Sequence, residues 1–253
     1  ADEVAGKATI DQKEIGFAGQ KDAKTLVDYQ AKIQAFEIKT NLAKKYNLDA
    51  SYTDSNSGLE KEINESSVNS QGALTSRKGY QNIYSQPYSM VVGTYLGTDI
   101  KNDVNQFNSG YSYRFDADFA GLITLPNAIP TEGKATYIGK GTADRTWRNM
   151  DLTYYVDFSK RTGSGYLIGG HTEGIYGSKI TLNEGNFAKL NIEGQEVTGI
   201  TATAKSLNNY NGSYNLSFFG PEAQEIAGKL IMQLGDLQKN EYGLGAARGE
   251  ITK

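Results

Sequence analysis

The stretch Phe218-Phe219-Gly220-Pro221-Glu222-Ala223-Gln224-Glu225-Ile226-Ala227-Gly228 decides the fold. A strand must run into Phe218 and Phe219. Gly220-Pro221 then breaks the ladder, because proline has no N–H to donate and glycine accepts backbone angles that other residues avoid. Nothing in the run carries catalytic chemistry. We read it as a closing strand of a β-barrel, with Gly243 and Arg248-Gly249-Glu250 continuing the glycine-punctuated pattern downstream.

Upstream, the second half of the chain alternates apolar and polar residues with a period of two. Leu152, Tyr154, Val156 and Phe158 fall on one face, and Asp151, Thr153, Tyr155 and Asp157 on the other. Lys160-Arg161-Thr162-Gly163-Ser164-Gly165 reads as the turn into Tyr166-Leu167-Ile168, making a hairpin. Ile180 and Leu182, then Ile200, Ala202 and Ala204, then Tyr214, Leu216 and Phe218 extend the series. With 135–138 and the C-terminal segment this gives roughly eight antiparallel strands, which close most economically as an up-and-down barrel without exposed edges.

The first half is less regular. Between Asp22 and Tyr46, apolar residues at Leu26, Tyr29, Ile33, Phe36, Leu42 and Tyr46 follow helical spacing; an alternating strand through Ile33–Ile38 competes with it. Residues 51–76 are mostly Ser, Asn, Gly and charged, which reads as an exposed loop region. Asp54, Asn56 and Gly58 hint at a calcium loop, yet the glycine spacing and distal carboxylate of an EF-hand are missing. Tyr84 to Tyr95, rich in aromatic and β-branched residues, reads as one strand. Pro126 and Pro130 bias the residues before them to extended geometry, so the domain junction is placed there. The fold class expected is mainly β: a β-rich (α+β) ligand-binding domain over 1–128, then an eight-stranded antiparallel barrel over 129–253.

Composition narrows the function. A net charge of −3 with a pI near 5.4 supplies no concentrated positive field, which argues against a nucleic-acid partner. With no cysteine, disulfides, thiol catalysis and thiolate metal sites are absent. No stretch approaches the apolar length of a membrane-spanning helix. The start Ala1-Asp2-Glu3-Val4 has no initiating Met, apolar signal segment or lipidatable Cys, so the expectation is a freely secreted protein, with a trimmed lipoprotein as the alternative.

Phe-Gly-Pro-Glu-Ala followed by Ala-Gly, together with Val156-Asp157-Phe158 and the Gly163-Ser164-Gly165 that follows, resembles the C-terminal barrel of the Slam-dependent surface lipoproteins and secreted hemophores of Gram-negative bacteria. That group holds transferrin-binding protein B, factor H-binding protein and the hemophilins. Gln86, Tyr88, Ser89, Val91 or Val92, and Gly93 resemble its recurrent N-terminal Q-x-Y-S-x-V-x-G strand. With the freely secreted start, the resemblance implies a monomeric hemophilin-type hemophore. It would capture heme, deliver it to a TonB-dependent outer-membrane receptor, and leave the cell through the group's outer-membrane export translocon. The alternative it implies is capture of a host protein, transferrin or a complement regulator, or of another small nutrient.

No enzyme is expected. His171 is the single histidine, set in Gly169-Gly170-His171-Thr172-Glu173-Gly174 with no nucleophile elbow nearby. It reads either as an exposed turn histidine or, as the cofactor-binding and metal residue, as an axial ligand to heme iron. A tyrosinate or Met90 is the alternative ligand, with Tyr46, Tyr52, Tyr80 and Tyr84 in or beside the loop-rich half. Most of the tyrosines read as packing residues, and Met90 as core. Asp116, Asp118 and Asp157 could supply a glycosidase pair, but nothing in the sequence joins two of them. Lys44-Lys45 and Lys160-Arg161 read as solvated charge pairs, and the glycine runs fit neither phosphate-loop nor dinucleotide fingerprints.

Overall fold

The computed structural model describes residues 3–10, 13–20, 23–53, 58–69, 74–101, 109–142, 150–169, 177–192, 194–235 and 238–253. Strands β1 (Glu3–Ile10) and β2 (Lys13–Gln20) form an antiparallel hairpin, followed by helix α1 (Ala23–Lys45). After a short 3-10 turn at Ala50–Tyr52, β3 (Gly58–Val68), β4 (Leu74–Ser85), β5 (Ser89–Lys101) and β6 (Ser109–Gly121) make a four-stranded antiparallel sheet in sequential order. A second 3-10 turn, Pro126–Ala128, leads into β7 (Lys134–Gly141), β8 (Met150–Asp157), β9 (Thr162–Ile168), β10 (Lys179–Ile192), β11 (Gln195–Ser206), β12 (Asn211–Phe219), β13 (Glu225–Leu234) and β14 (Gln238–Arg248). These eight form a closed antiparallel barrel, sealed where β14 pairs with β7 from Leu244↔Gly141 to Arg248↔Tyr137. The mainly β fold and the eight-stranded barrel expected from the alternation are both present.

The period of two does what it should in the barrel. Tyr137, Leu152, Tyr154, Val156, Phe158, Leu167, Ile180, Leu182, Ile200, Tyr214, Leu216, Phe218, Leu230 and Leu244 are all buried in one interior core. Large rings fill the middle. Tyr154 and Tyr214 meet edge to face at 6.0 Å, and Phe218 lies 5.1 Å from Phe187 and 6.2 Å from Phe158. The tyrosine hydroxyls are satisfied inside: Tyr154 and Tyr214 share a hydrogen bond of 3.0 Å, Tyr214 donates to the Asn183 carbonyl at 2.6 Å, and Tyr137 donates to the Ala223 carbonyl at 2.7 Å. Burial pushes the Tyr214 phenol up to about 12.

Several local expectations are corrected. Residues 51–76, read as loop, contain β3 and the start of β4; cross-strand pairing through Ile63↔Gly79 and Glu65↔Arg77 overrides their polar composition. Tyr84–Tyr95 is two strands, because the chain turns at Gln86-Pro87-Tyr88, where Gln86 N–H donates to the Ser89 carbonyl at 2.7 Å. The turn after β8 ends at Arg161, so Gly163 is a strand residue. Its missing Cβ leaves room for the Tyr154 ring, which would otherwise lie 2.7 Å away. The Phe218 strand is the sixth of the barrel, and the closing seam is β7–β14.

The helix is where the spacing places it, but it packs on a different stripe. Ala31, Ala35, Leu42 and Ala43 are buried, whereas Leu26 is 43% exposed. Small residues let α1 approach Tyr88 and Phe119 closely, which a stripe of large ones would prevent. Leu125 and Ile129, each before a proline, are extended as expected, with the 3-10 turn between them. Among the described residues no helix is long and apolar enough to cross a membrane.

Candidate functional site

The two sequence motifs meet. The corner between β4 and β5, which carries Gln86, Tyr88 and Ser89, sits against the start of β13 and the Phe219-Gly220 end of β12. Glu225 is 2% exposed and accepts hydrogen bonds from Tyr88 N–H at 3.0 and 3.1 Å and from the Ser89 hydroxyl at 2.8 Å. Gln86 Nε2 donates to the same Ser89 oxygen at 2.9 Å. From the other side, Lys39 of α1 donates to the Thr53 carbonyl at 2.9 Å, the Gln86 carbonyl at 2.6 Å and the Ser85 hydroxyl at 3.2 Å. A buried lysine and a buried carboxyl thus hydrogen-bond the corner between helix and barrel. Burial pushes the Glu225 carboxyl up to about 7, against the pull of its hydrogen bonds and Lys39. It draws Lys39 down to about 8, against Glu225.

The chain leaving β6 completes the junction. Leu122 N–H donates to the Tyr88 carbonyl at 2.9 Å, Thr124 N–H to the Phe218 carbonyl at 2.9 Å, and Gly220 N–H to the Leu122 carbonyl at 2.8 Å. Gly220 has φ +88°, and a Cβ there would lie 2.8 Å from the Tyr88 ring, so both its backbone angle and its lack of a side chain are required. Phe218 faces the barrel core. Phe219 faces outward into a second core with Ala31, Ala35, Tyr88, Val91, Phe119 and Ala227, meeting Phe119 edge to face at 6.2 Å. Alternate residues of one strand therefore serve two cores, and the motifs form a junction that holds sheet to barrel.

The surface with recognition chemistry lies on the outer wall of β7, β8 and β9. Ile138, Tyr155 and Ile168 are 58%, 47% and 47% exposed. Register places Thr153 beside Ile138 and Tyr166, and Tyr155 beside Thr136 and Ser164. The Tyr155 and Tyr166 rings lie 6.4 Å apart and their hydroxyls hydrogen-bond, which raises the Tyr155 pKa and lowers that of Tyr166. Lys179 covers Tyr166 at 4.9 Å. Next to this platform a cleft of about 490 Å³ opens; Thr136, Tyr155, Asp157, Thr162, Ser164 and Glu184 line it together with Lys134, Lys160, Glu250, Thr252 and the apolar Ala135 and Val156. Asp157 accepts from Lys160 N–H at 2.9 Å and lies 3.7 Å from the Lys134 ammonium; the Lys160 hydrogen bond, with help from those lysines, holds its carboxyl below the usual range.

His171 lies outside the described residues, as do Asp54 and Asn56 of the calcium-loop hint. Met90 is fully buried among Leu42, Ala43, Ile83 and Val92, so it packs a core. Tyr46 donates to Asp118 at 3.3 Å, and Tyr46 and Tyr52 pack against that same core. Asp116 and Asp118 lie on β6, paired with Arg114 and Lys45, whereas Asp157 lies on the barrel beside the cleft. The structure does not join them across a cleft. Lys45 and Arg161 are not free charges: Lys45 reaches Asp118 at 2.6 Å, and Arg161 lies 4.5 Å over the Phe187 ring.

The cleft beside Tyr155 does not fit heme. A porphyrin needs a slot with continuous apolar walls and an axial donor, whereas Lys134, Asp157, Lys160, Glu184 and Glu250 interrupt the lining of this cleft and its one ring donor, Tyr155, is engaged with Tyr166. Among the described residues no group of three or more His, Cys, Asp or Glu could hold a metal ion. The sequence reading passed over Lys39 and Glu225, although Glu225 stands inside its leading motif. It placed Tyr155 on the outward face of β8 without assigning it a role. An aromatic at an outward strand position was the available signal.

Residues 127–230 match the family model described as Factor H binding protein, C-terminal, a span running from the second 3-10 turn into β13. Among solved structures, the chain is similar to intact Ap-TbpB with its N and C lobes at 15% identity and TM-score 0.46, covering 97% of this chain and 42% of that one. It is also similar to a mutant of the vaccine antigen transferrin binding protein B from Haemophilus parasuis Hp5 at 18% identity and TM-score 0.42, covering 74% of this chain and 37% of that one. A third is the isotype 1 transferrin binding protein B of serogroup B Neisseria meningitidis at 16% identity and TM-score 0.41, with 74% and 36% covered. The chain spans less than half the length of each of these.

Proposed function

We propose that this chain is a non-enzymatic binding module of a Gram-negative cell-surface protein that captures a host protein, transferrin or a complement regulator, on the outer wall of its barrel. The observation that carries the reading is the match of 127–230 to the Factor H binding protein C-terminal family in a barrel whose interior is filled. Tyr137, Tyr154, Tyr214, Phe158 and Phe218 occupy the space where a ligand-holding barrel keeps its cavity. Binding therefore happens outside, where partners are large. The platform of Ile138, Tyr155, Tyr166 and Ile168 supplies half-exposed rings fixed in place, the residue type that dominates interface energetics. The match to the Factor H binding protein C-terminal family and the exposed rings on the outer wall support host-protein capture over the heme capture expected from the sequence.

Surface plasmon resonance with immobilised protein against purified transferrin and complement regulators tests this. Saturable binding by one of them, weakened about tenfold or more by Ile138→Lys or Ile168→Lys, is the expected result. If none binds, and hemin instead gives a Soret shift that His171→Ala abolishes, the protein is a hemophore and the reading fails.

A further inference from the structure

We infer that the cleft beside Tyr155 is a binding site for a neutral oligosaccharide. The inference stands on the cleft itself and holds whichever protein the module captures.

The volume of about 490 Å³ falls within the range of ligand sites, roughly 300–1,000 Å³. Its lining mixes apolar surface, Ala135 and Val156 among it, with a set of polar groups. Thr136, Thr162, Ser164 and Thr252 offer hydroxyls, Lys134 and Lys160 offer donors, and Asp157, Glu184 and Glu250 offer acceptors. Donors and acceptors in near-equal number match a ligand whose own surface alternates between the two, as a sugar's hydroxyls do. Three carboxylates against two lysines give the lining a slight negative balance, which disfavours phosphate, sulfate and acidic sugars.

Two features are ordered in advance. Asp157 is fixed by Lys160 N–H at 2.9 Å, so it presents its remaining lone pairs without first losing a water-bound conformation. Tyr155 is steadied by the hydroxyl contact to Tyr166, and its half-exposed ring offers a flat surface for the C–H face of a pyranose. An extended peptide is the less suited occupant. The barrel is closed by β14–β7 pairing, so this wall has no free strand edge to which a peptide could add.

The test is ¹H–¹⁵N spectroscopy of the full chain titrated with maltotriose, cellotriose, chitotriose and, as the acidic comparison, sialyllactose, each to about 10 mM, the range in which weak sites saturate. At least one neutral trisaccharide is expected to shift amides of 134–136, 155–157 and 162–164. Tyr155→Ala and Glu184→Gln should each weaken it about tenfold, and Leu207→Ser, at an exposed position outside both the cleft and the platform, should leave it unchanged. The same spectra report whether each variant is folded, and Glu184, an exposed strand residue, provides a variant with little bearing on stability. The inference is overturned if no neutral trisaccharide moves those amides, if Tyr155→Ala and Glu184→Gln bind as well as wild type, or if sialyllactose binds more tightly than all three. Capture of a host protein that is unaffected by enzymatic removal of its glycans yet lost in Glu184→Gln, a cleft residue outside the Ile138–Tyr155–Ile168 platform, would assign the cleft to polypeptide and overturn it as well.

Discussion

Replacing Glu225 with glutamine should change how stability depends on pH, and the structure gives the size and the window. Burial raises the Glu225 carboxyl from 4.5 to about 7, because the desolvation of a charge at the junction outweighs the hydrogen bonds from Ser89 and Tyr88 and the attraction of Lys39. A group whose folded pKa lies above its unfolded one binds its proton more tightly when folded. Its contribution is fully present below pH 4.5, declines across the interval, and is gone above about pH 7. At 1.36 kcal/mol per pKa unit the loss is about 3 kcal/mol. Lys39 acts in a separate window and with the opposite sign: its lowered pKa makes stability rise between about 8 and 10.5. The acid window therefore belongs to Glu225.

Glutamine is close in shape to the protonated acid, so wild type and Glu225→Gln should differ little in pH dependence below pH 4.5. The variant should then gain about 3 kcal/mol on wild type between pH 4.5 and 7.5. Urea unfolding of both proteins at half-unit intervals, read by two probes to check that sheet and barrel unfold together, measures the difference while cancelling every other titrating group. A difference that stays constant across the window would refute the raised pKa of the buried Glu225 carboxyl at the junction.

Phe218→Ala should cost about 3 to 5 kcal/mol, since its ring is 1% exposed among Phe158 and Phe187; loss of partner binding with stability intact would contradict its purely structural place. The fragment 129–253 should fold alone and give a dispersed amide spectrum, because β7 to β14 contain the whole closed barrel. A collapsed, undispersed spectrum would place the boundary elsewhere.

Much of the barrel was legible because an alternating strand writes its inside and outside into the sequence. Leu152, Tyr154 and Val156 had to share a face whatever they packed against, and Tyr155 had to share the other. Local sequence likewise determined the helix and the break after Phe219, since proline and glycine act on the backbone directly. The N-terminal sheet was harder to read. The exposed half of β3 is polar apart from Val68, and it becomes a strand only because β4 lies beside it.

What the tertiary structure alone decided is where separate stretches meet. Tyr88 and Ser89 carry no sign that Glu225, more than a hundred residues later, will accept their hydrogen bonds, and Lys39 in α1 gives no hint that it ends among the carbonyls of that corner. The Tyr155 cleft is likewise assembled from β7, β8, β9, β10 and the C-terminal tail. Periodicity fixes which way a side chain faces relative to its own strand, but the neighbour it faces is set by register and by the closure of β14 on β7, which depend on the whole barrel forming at once.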